Sequence, residues 1–270
     1  MDGFKSAAQA YFNDDRFSDL IVVCAATSKT YKSHRFLLSV HSRWFERCCN
    51  GAFAESGNRR IVLKGDVPVA VDRMIEFFYK FDYSSDVPTT ETIAEEVKSD
   101  PEEEFATQKI NSKVELHAWM YSIADKYEIS DLKKLSFTKF TKELQASKLT
   151  RGDVELLVNL IYSTLPLPES DTALRDAVVE RWIYILGTSQ KKVDADELNA
   201  ISRGNPVFGA DVMRRLINSF ANVSYKCAWC KLIAEGSYDP ERDHFFCRYC
   251  NSKRDYTAIR LTSIIDIDKV

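Results

Sequence analysis

Apolar positions change period several times along the chain, and each change marks an element. Phe4, Ala7, Ala8, Tyr11 and Phe12 recur at helical spacing and predict a short helix over Phe4–Phe12, broken by Asn13-Asp14-Asp15. Leu20-Ile-Val-Val-Cys24 is a continuous apolar run rich in β-branched residues and predicts a buried strand. Thr27-Ser28-Lys29 forms the turn into a returning strand, Thr30–Ser33. Helical spacing then resumes with Phe36, Leu37 and Val40, followed by Trp44, Phe45 and Cys48, and Gly51 closes that helix. Arg60–Lys64 reads as another short strand. Pro68 opens a helix whose buried stripe is Val71, Met74, Ile75, Phe78 and Tyr79.

The stretch from about Ser84 to Ser112 breaks this pattern with two prolines, many Ser and Thr, and the acidic clusters Glu95-Glu96 and Glu102-Glu103-Glu104. It reads as a solvated, disordered insert. Order returns with Leu116, Trp119, Met120, Ile123, Ala124 and Tyr127 on one helix. Ser130 or Asp131 is expected to cap the next, whose stripe is Leu132, Leu135, Phe137, Phe140 and Leu144. Three more amphipathic helices are predicted near Asp153–Ser163, Asp171–Leu186 and Pro206–Ala221, separated by Leu165-Pro-Leu-Pro168 and Arg203-Gly-Asn-Pro206. Tyr256–Ile267 is β-prone.

Composition narrows the classes of function. A chain of 270 residues with 45% apolar content has ample material for a core, and a net charge of −3 gives no general attraction to nucleic acid or anionic membrane. No apolar run reaches membrane-spanning length. No apolar signal stretch follows Met1, so a reducing compartment, cytoplasmic or nuclear, is expected.

The sharpest chemistry lies near the C-terminus, in Cys227-Ala-Trp-Cys230 and Cys247-Arg-Tyr-Cys250, with sixteen residues between the pairs. Two such knuckles across a hairpin suit a tetrahedral four-thiolate site, and a structural Zn2+ is expected. A disulfide framework, a single redox pair or an iron–sulfur cluster accounts for the spacing less well. His244 reads as a surface or supporting group rather than a ligand. A closed four-sulfur site leaves no position for a catalytic water.

The first half resembles a BTB/POZ domain. The residues that carry the resemblance are Phe17-Ser-Asp-Leu-Ile-Val-Val23, Tyr31-Lys-Ser-His-Arg-Phe-Leu-Leu-Ser39 and Ser42-Arg-Trp-Phe45. They continue in Arg60-Ile-Val-Leu-Lys64, Met74-Ile-Glu-Phe-Phe-Tyr79, Tyr121-Ser-Ile-Ala-Asp-Lys-Tyr127 and Leu132-Lys-Lys-Leu135. The acidic insert and the zinc-ribbon-like tail resemble the style of filamentous-fungal members. The resemblance implies an α+β fold, a helical cluster with a short β-sheet. The expected organisation is a BTB/POZ domain over 14–147 with the insert at about 84–112, a helical extension over 150–222, and a zinc-binding module with a β-prone tail over 223–270.

The same resemblance implies a protein-interaction module without a catalytic site, acting as a scaffold and as a homo- or hetero-oligomer. It matches Asp19 and Arg35 to an acid–base pair near the dimer interface of many members, expected to pair because a lone buried charge is costly. The alternative is an ordinary intradomain salt bridge without a role in partner choice. Phe53-Ala54-Glu55 falls where adaptors of cullin-RING ubiquitin ligases carry a hydrophobic-x-Glu segment, so a cullin is an alternative partner. His34 reads as a capping or core histidine. A strand exchanged between protomers is not expected, since a helix occupies the N-terminus; that helix can pack on a second protomer or on its own. A further alternative is nucleic-acid binding through Lys226, Lys231, Arg248, Lys253 and Arg254 around the zinc module, which Glu235, Asp239, Glu241, Asp243 and Asp255 dilute.

Overall fold

The computed structural model describes residues 2–12, 14–50, 59–87, 108–147, 149–188, 203–221, 223–226, 233–236, 244–246 and 253–255. They belong to two compact units, residues 1–185 and 186–270.

In the first unit, β1 (Leu20–Cys24) is the central strand of a three-stranded sheet, between β2 (Thr30–Ser33) and β3 (Arg60–Leu63). β2 is antiparallel and follows a tight turn in which Ser28 adopts φ 58°. β3 is parallel, so the chain must cross over before it can pair, and α2 (Arg35–His41) and α3 (Arg43–Asn50) lie in that crossover. Ile21 stands opposite both Lys32 and Arg60, and Val23 opposite both Thr30 and Val62. The two-residue period then sends Leu20, Val22, Cys24, Ile61 and Leu63 into the core, while Ile21 and Val62 stay partly exposed on the other face.

α4 (Pro68–Lys80) starts on Pro68, whose missing N–H costs nothing at a helix start, and buries the expected stripe. It ends at Phe81 in the left-handed region (φ 58°), whose N–H returns to the Phe77 carbonyl at 2.8 Å. α5 (Lys113–Lys126) is buried on nearly every side, which is the signature of a helix at the centre of a cluster. Ser112 caps it by accepting the Glu115 amide at 3.2 Å. α6 (Ser130–Ala146) packs along α5 and buries Leu132, Phe140 and Leu144.

Three local expectations are corrected. The apolar run from Phe36 to Cys48 forms two helices, because Ser42 is extended (φ −139°, ψ 120°) and interrupts the run. Its hydroxyl accepts the Phe45 N–H at 3.0 Å, starting α3, and donates to the Tyr127 carbonyl at 2.6 Å. Neither Ser130 nor Asp131 caps α6: Ile129 holds the cap position without a side-chain bond, and Ser130 is already helical. Both rims of the insert are fixed. Tyr83 and Ile110 are buried, and the Ser84 amide donates to Glu76 Oε2 at 3.1 Å. Residues 88–107 lie outside the described residues.

A polar network, buried at Asp66 and Tyr127 and open to solvent at Lys126, joins the layers. The Tyr127 hydroxyl donates to Asp66 Oδ2 at 2.6 Å, and the Lys126 ammonium reaches Asp66 Oδ1 at 2.8 Å and the Lys64 carbonyl at 2.6 Å. The Phe45 ring packs nearly perpendicular to Phe78 at 5.5 Å and lies 5.7 Å from Tyr127, so the network is sealed by aromatic rings. Glu76 on α4 is buried yet ionised. Burial pushes its carboxyl up, but Lys80, the Ser84 amide and Arg73 outweigh that and hold it below the usual range.

The chain continues into α7 (Arg151–Asn159), a π-helical turn (Leu160–Thr164) and α8 (Ala173–Thr188). Thr150 and Asp153 form a reciprocal capping box at the start of α7. Asp171, just before α8, receives the Tyr121 hydroxyl at 2.9 Å and the Lys133 ammonium at 2.6 Å, tying this segment to α5 and α6. The second unit contains α9 (Pro206–Ala221), which buries Phe208 and Val212, and two two-stranded antiparallel sheets. β4 (Val223–Lys226) pairs with β5 (Ile233–Gly236), and β6 (His244–Phe246) pairs with β7 (Lys253–Asp255).

Two imidazoles make the fold acid-sensitive. Burial, aided by Lys139 and Lys113 and opposed by Asp82, lowers His117 to about 4; its Nδ1 meets the Tyr83 hydroxyl at 2.8 Å. Burial lowers His41 as well, with Asp131 opposing. Both groups bind protons more weakly when folded, so their stabilisation is complete above the unfolded value of 6.5 and is lost as pH falls below it, for His117 down to about 4. For His117 the loss approaches roughly 3 kcal/mol. Urea unfolding of the wild-type chain and of His117→Gln at about pH 7 and about pH 5 should show the variant losing less stability between the two conditions; equal slopes would contradict this.

Candidate interaction surface

α1 (Asp2–Gln9) folds back onto α4 of its own chain. The Phe4 ring stands edge-on to Phe81 at 6.1 Å, Phe12 lies 5.9 Å from Tyr79, and the Lys80 ammonium sits 4.6 Å above the Phe12 ring. The sequence leaves two placements for this helix; here it packs on its own protomer.

His34 occupies the position before α2, but its ring makes no cap. Nε2 meets the Arg16 carbonyl at 2.8 Å, which requires an N–H there, so in the neutral ring Nδ1 accepts from the Tyr79 hydroxyl at 2.8 Å. Tyr11 packs edge-on against the same imidazole. His34 therefore fastens the 14–17 turn to α4, and both nitrogens are engaged. The cap comes from Asp19, whose carboxylate accepts the Arg35 backbone N–H at 2.8 Å. A carboxylate there satisfies one of the helix's orphan amides and meets the positive end of its dipole.

Asp19 is exposed and Arg35 half-buried. The structure brings the two residues together through the Arg35 amide on the Asp19 carboxylate.

α2 buries Leu37 and Leu38 and turns Phe36 and Val40 to solvent, at 69% and 61% exposure. The two lie four residues apart, on one side of the helix. The N-terminal end of α2 is bordered by Tyr11 and Phe17, whose rings are 6.3 Å apart, through the Tyr11–His34 contact. Its C-terminal end is bordered by Phe81, 5.1 Å from His41, and by Phe4. Phe17 is 82% exposed and held at φ 60°, an unfavourable conformation for a bulky residue. Phe36 and Val40 thus stand on one side of α2 without cover from the described residues of this chain, the kind of surface that marks an interaction site.

Comparison with protein families agrees with the resemblance on the first part of the chain, residues 8–99. These residues match the BTB/POZ domain family. The family is one of protein–protein interaction modules, and the match covers about a third of the chain. A search of curated proteins found no match.

The BTB/POZ match includes the sheet, α2, α3, α4 and the α2 strip, and ends before α5 and α6. Phe53, Ala54 and Glu55 fall within the match but outside the described residues. Cys227, Cys230, Cys247 and Cys250 are likewise outside them, although each pair falls in the connection between two paired strands, β4–β5 and β6–β7. Among the described residues no cluster of His, Cys, Asp and Glu forms a metal site, and no helix is long and apolar enough to cross a membrane.

Sequence reading groups Phe36 and Val40 with Leu37 by spacing and misses their exposure. Helical periodicity finds a stripe but not its boundary, and α2 is apolar on more than one side. The Thr150–Asp153 capping box was open to reading from its spacing alone.

If Asp19 acts as a helix cap, Asp19→Ala should cost about 1 kcal/mol of unfolding free energy, whereas Asp19→Asn, which keeps an acceptor, should cost much less. Urea denaturation of the two variants checks this; Asp19→Asn costing as much as Asp19→Ala would favour a role for the charge instead.

Proposed function

We propose that the chain is a non-enzymatic scaffold whose BTB/POZ domain associates with a second copy or another protein through the apolar strip along α2. The observation that carries this reading is the exposure of Phe36 and Val40 on one side of a helix, at 69% and 61%. Burying such residues against a partner is worth roughly 1.5–3 kcal/mol per large side chain before association costs are subtracted. Replacing Phe36 and Val40 together by glutamate should leave the fold intact, since neither contributes to the core, and should convert an oligomer to monomer. Native mass spectrometry under reducing conditions reads both species. Homo-association fails if the wild-type chain is monomeric, and the strip fails as its interface if the double variant remains oligomeric.

Cys227, Cys230, Cys247 and Cys250 would hold one structural Zn2+. Support comes from the two short sheets that flank the cysteine pairs, an arrangement that suits two thiolate knuckles closing on one ion. Such small sheets bury little apolar surface, and metal binding would supply the folding free energy they lack. The same mass measurement should find one zinc per chain, lost in Cys247→Ser, while thermal unfolding of the BTB/POZ domain is unchanged by a chelator. A metal-free wild-type chain purified with zinc present would refute the site.

A further inference from the structure

β3 is an edge strand among the described residues. The Ile21 amide donates to the Arg59 carbonyl at 2.8 Å and the Ala25 amide to the Leu63 carbonyl at 2.9 Å. In a parallel ladder, residues that bond inward alternate with residues that face away. Ile61 therefore bonds inward, while the main-chain groups of Arg60, Val62 and Lys64 point outward. The Lys64 carbonyl is taken by the Lys126 ammonium at 2.6 Å, which closes the C-terminal end of the edge and leaves Val62 at its middle.

Side chains along this edge follow the same period. Arg60, Val62 and Lys64 are all exposed, Val62 at 41%, and share the outer face with Ile21 at 40%. Among the described residues Arg59, Arg60 and Lys64 have no acidic partner, unlike Lys29 and Lys32, which are paired with Asp72 and Asp15. Cations on a short edge strand discourage pairing with another apolar or basic edge, and so select for an acidic one.

We propose that the outer edge of β3 binds an extended acidic peptide of a partner protein by strand addition, in the pattern acid–x–apolar–x–acid. The central apolar residue packs on Val62 and Ile21. The two carboxylates, two residues to either side, stand opposite Arg60 and Lys64, and the Val62 amide and carbonyl complete the ladder. This extends the reading of the chain as an interaction protein. Its test does not read the oligomeric state, so the two can fail separately.

A suitable probe is in the chain's own sequence, where Glu91-Thr-Ile-Ala-Glu95 has this pattern. A labelled peptide of residues 89–97 is titrated with the full chain and followed by fluorescence anisotropy. Saturable binding is expected, weakened roughly tenfold or more when Glu91 and Glu95 of the peptide are changed to Gln, or when Arg60 and Lys64 of the protein are changed to Glu. It should also weaken between about 0.05 M and about 0.5 M salt. Val62→Pro should abolish it while retaining the β1 pairing, because the N–H it removes faces outward. If that variant fails to fold, the charge reversals still decide. Absence of saturable binding, or equal binding by Arg60→Glu/Lys64→Glu, overturns the proposal. Binding that emerges only when Glu91 and Glu95 of the chain itself are replaced by lysine assigns the edge to the chain's own insert and overturns an outside partner.

Discussion

The hydroxyl of Ser42 joins the crossover helices of the first unit to its central helix. It interrupts a long apolar helical run, starts α3, and bonds the carbonyl at the end of α5. From there the network passes through the Tyr127 ring to Asp66, at the exit of β3, and to Lys126. Sheet, crossover helices and central helix meet at four polar side chains. Buried groups of this kind stabilise only when all are satisfied, since an orphaned partner costs more than the bond contributes. The surrounding rings of Phe45, Phe78 and Trp44 keep water out, so the hydrogen bonds are made in a medium where losing one is expensive.

That constraint shapes the surface as well. With α2 separated from α3, α2 is free to take its own orientation, burying Leu37 and Leu38 and leaving Phe36 and Val40 outside. The α2 strip exists because the helix breaks at Ser42. His34 and Asp19 then fix the N-terminal end of α2, one by tying the preceding turn to Tyr79 and the other by capping its first amide. The fold builds a rigid apolar ridge whose supports are polar. The edge of β3 presents a different recognition chemistry, charge and main-chain groups instead of rings.

Most of the architecture was legible in the sequence. The strands at Leu20–Cys24, Thr30–Ser33 and Arg60–Leu63, and the helices from Pro68 onward, follow from local periodicity and from Gly and Pro punctuation. Of the candidate site, the position of Asp19 beside Arg35 was legible, but its role was not: the carboxylate serves an amide sixteen residues away, and no local pattern records that. The buried Glu76 and His117 were also hidden, because a charged or polar residue in a helical pattern reads as solvent-facing until its partners are known.

The sequence alone determined which segments are helix or strand, where the core stripes lie on α4 and α5, and the spacing of the two cysteine pairs. These are local properties, set by backbone preference and by the spacing of side chains on a helix or strand. Only the tertiary structure decided that the run from Phe36 to Cys48 breaks at Ser42, that the N-terminal helix packs on its own α4, and which apolar residues of α2 remain outside. Each of these depends on groups distant in sequence: the Tyr127 carbonyl for Ser42, Phe81 and Tyr79 for α1, and the limited core space into which α2 fits only one of its apolar sides. Burial is a competition among all segments for one interior, and no single segment carries its outcome.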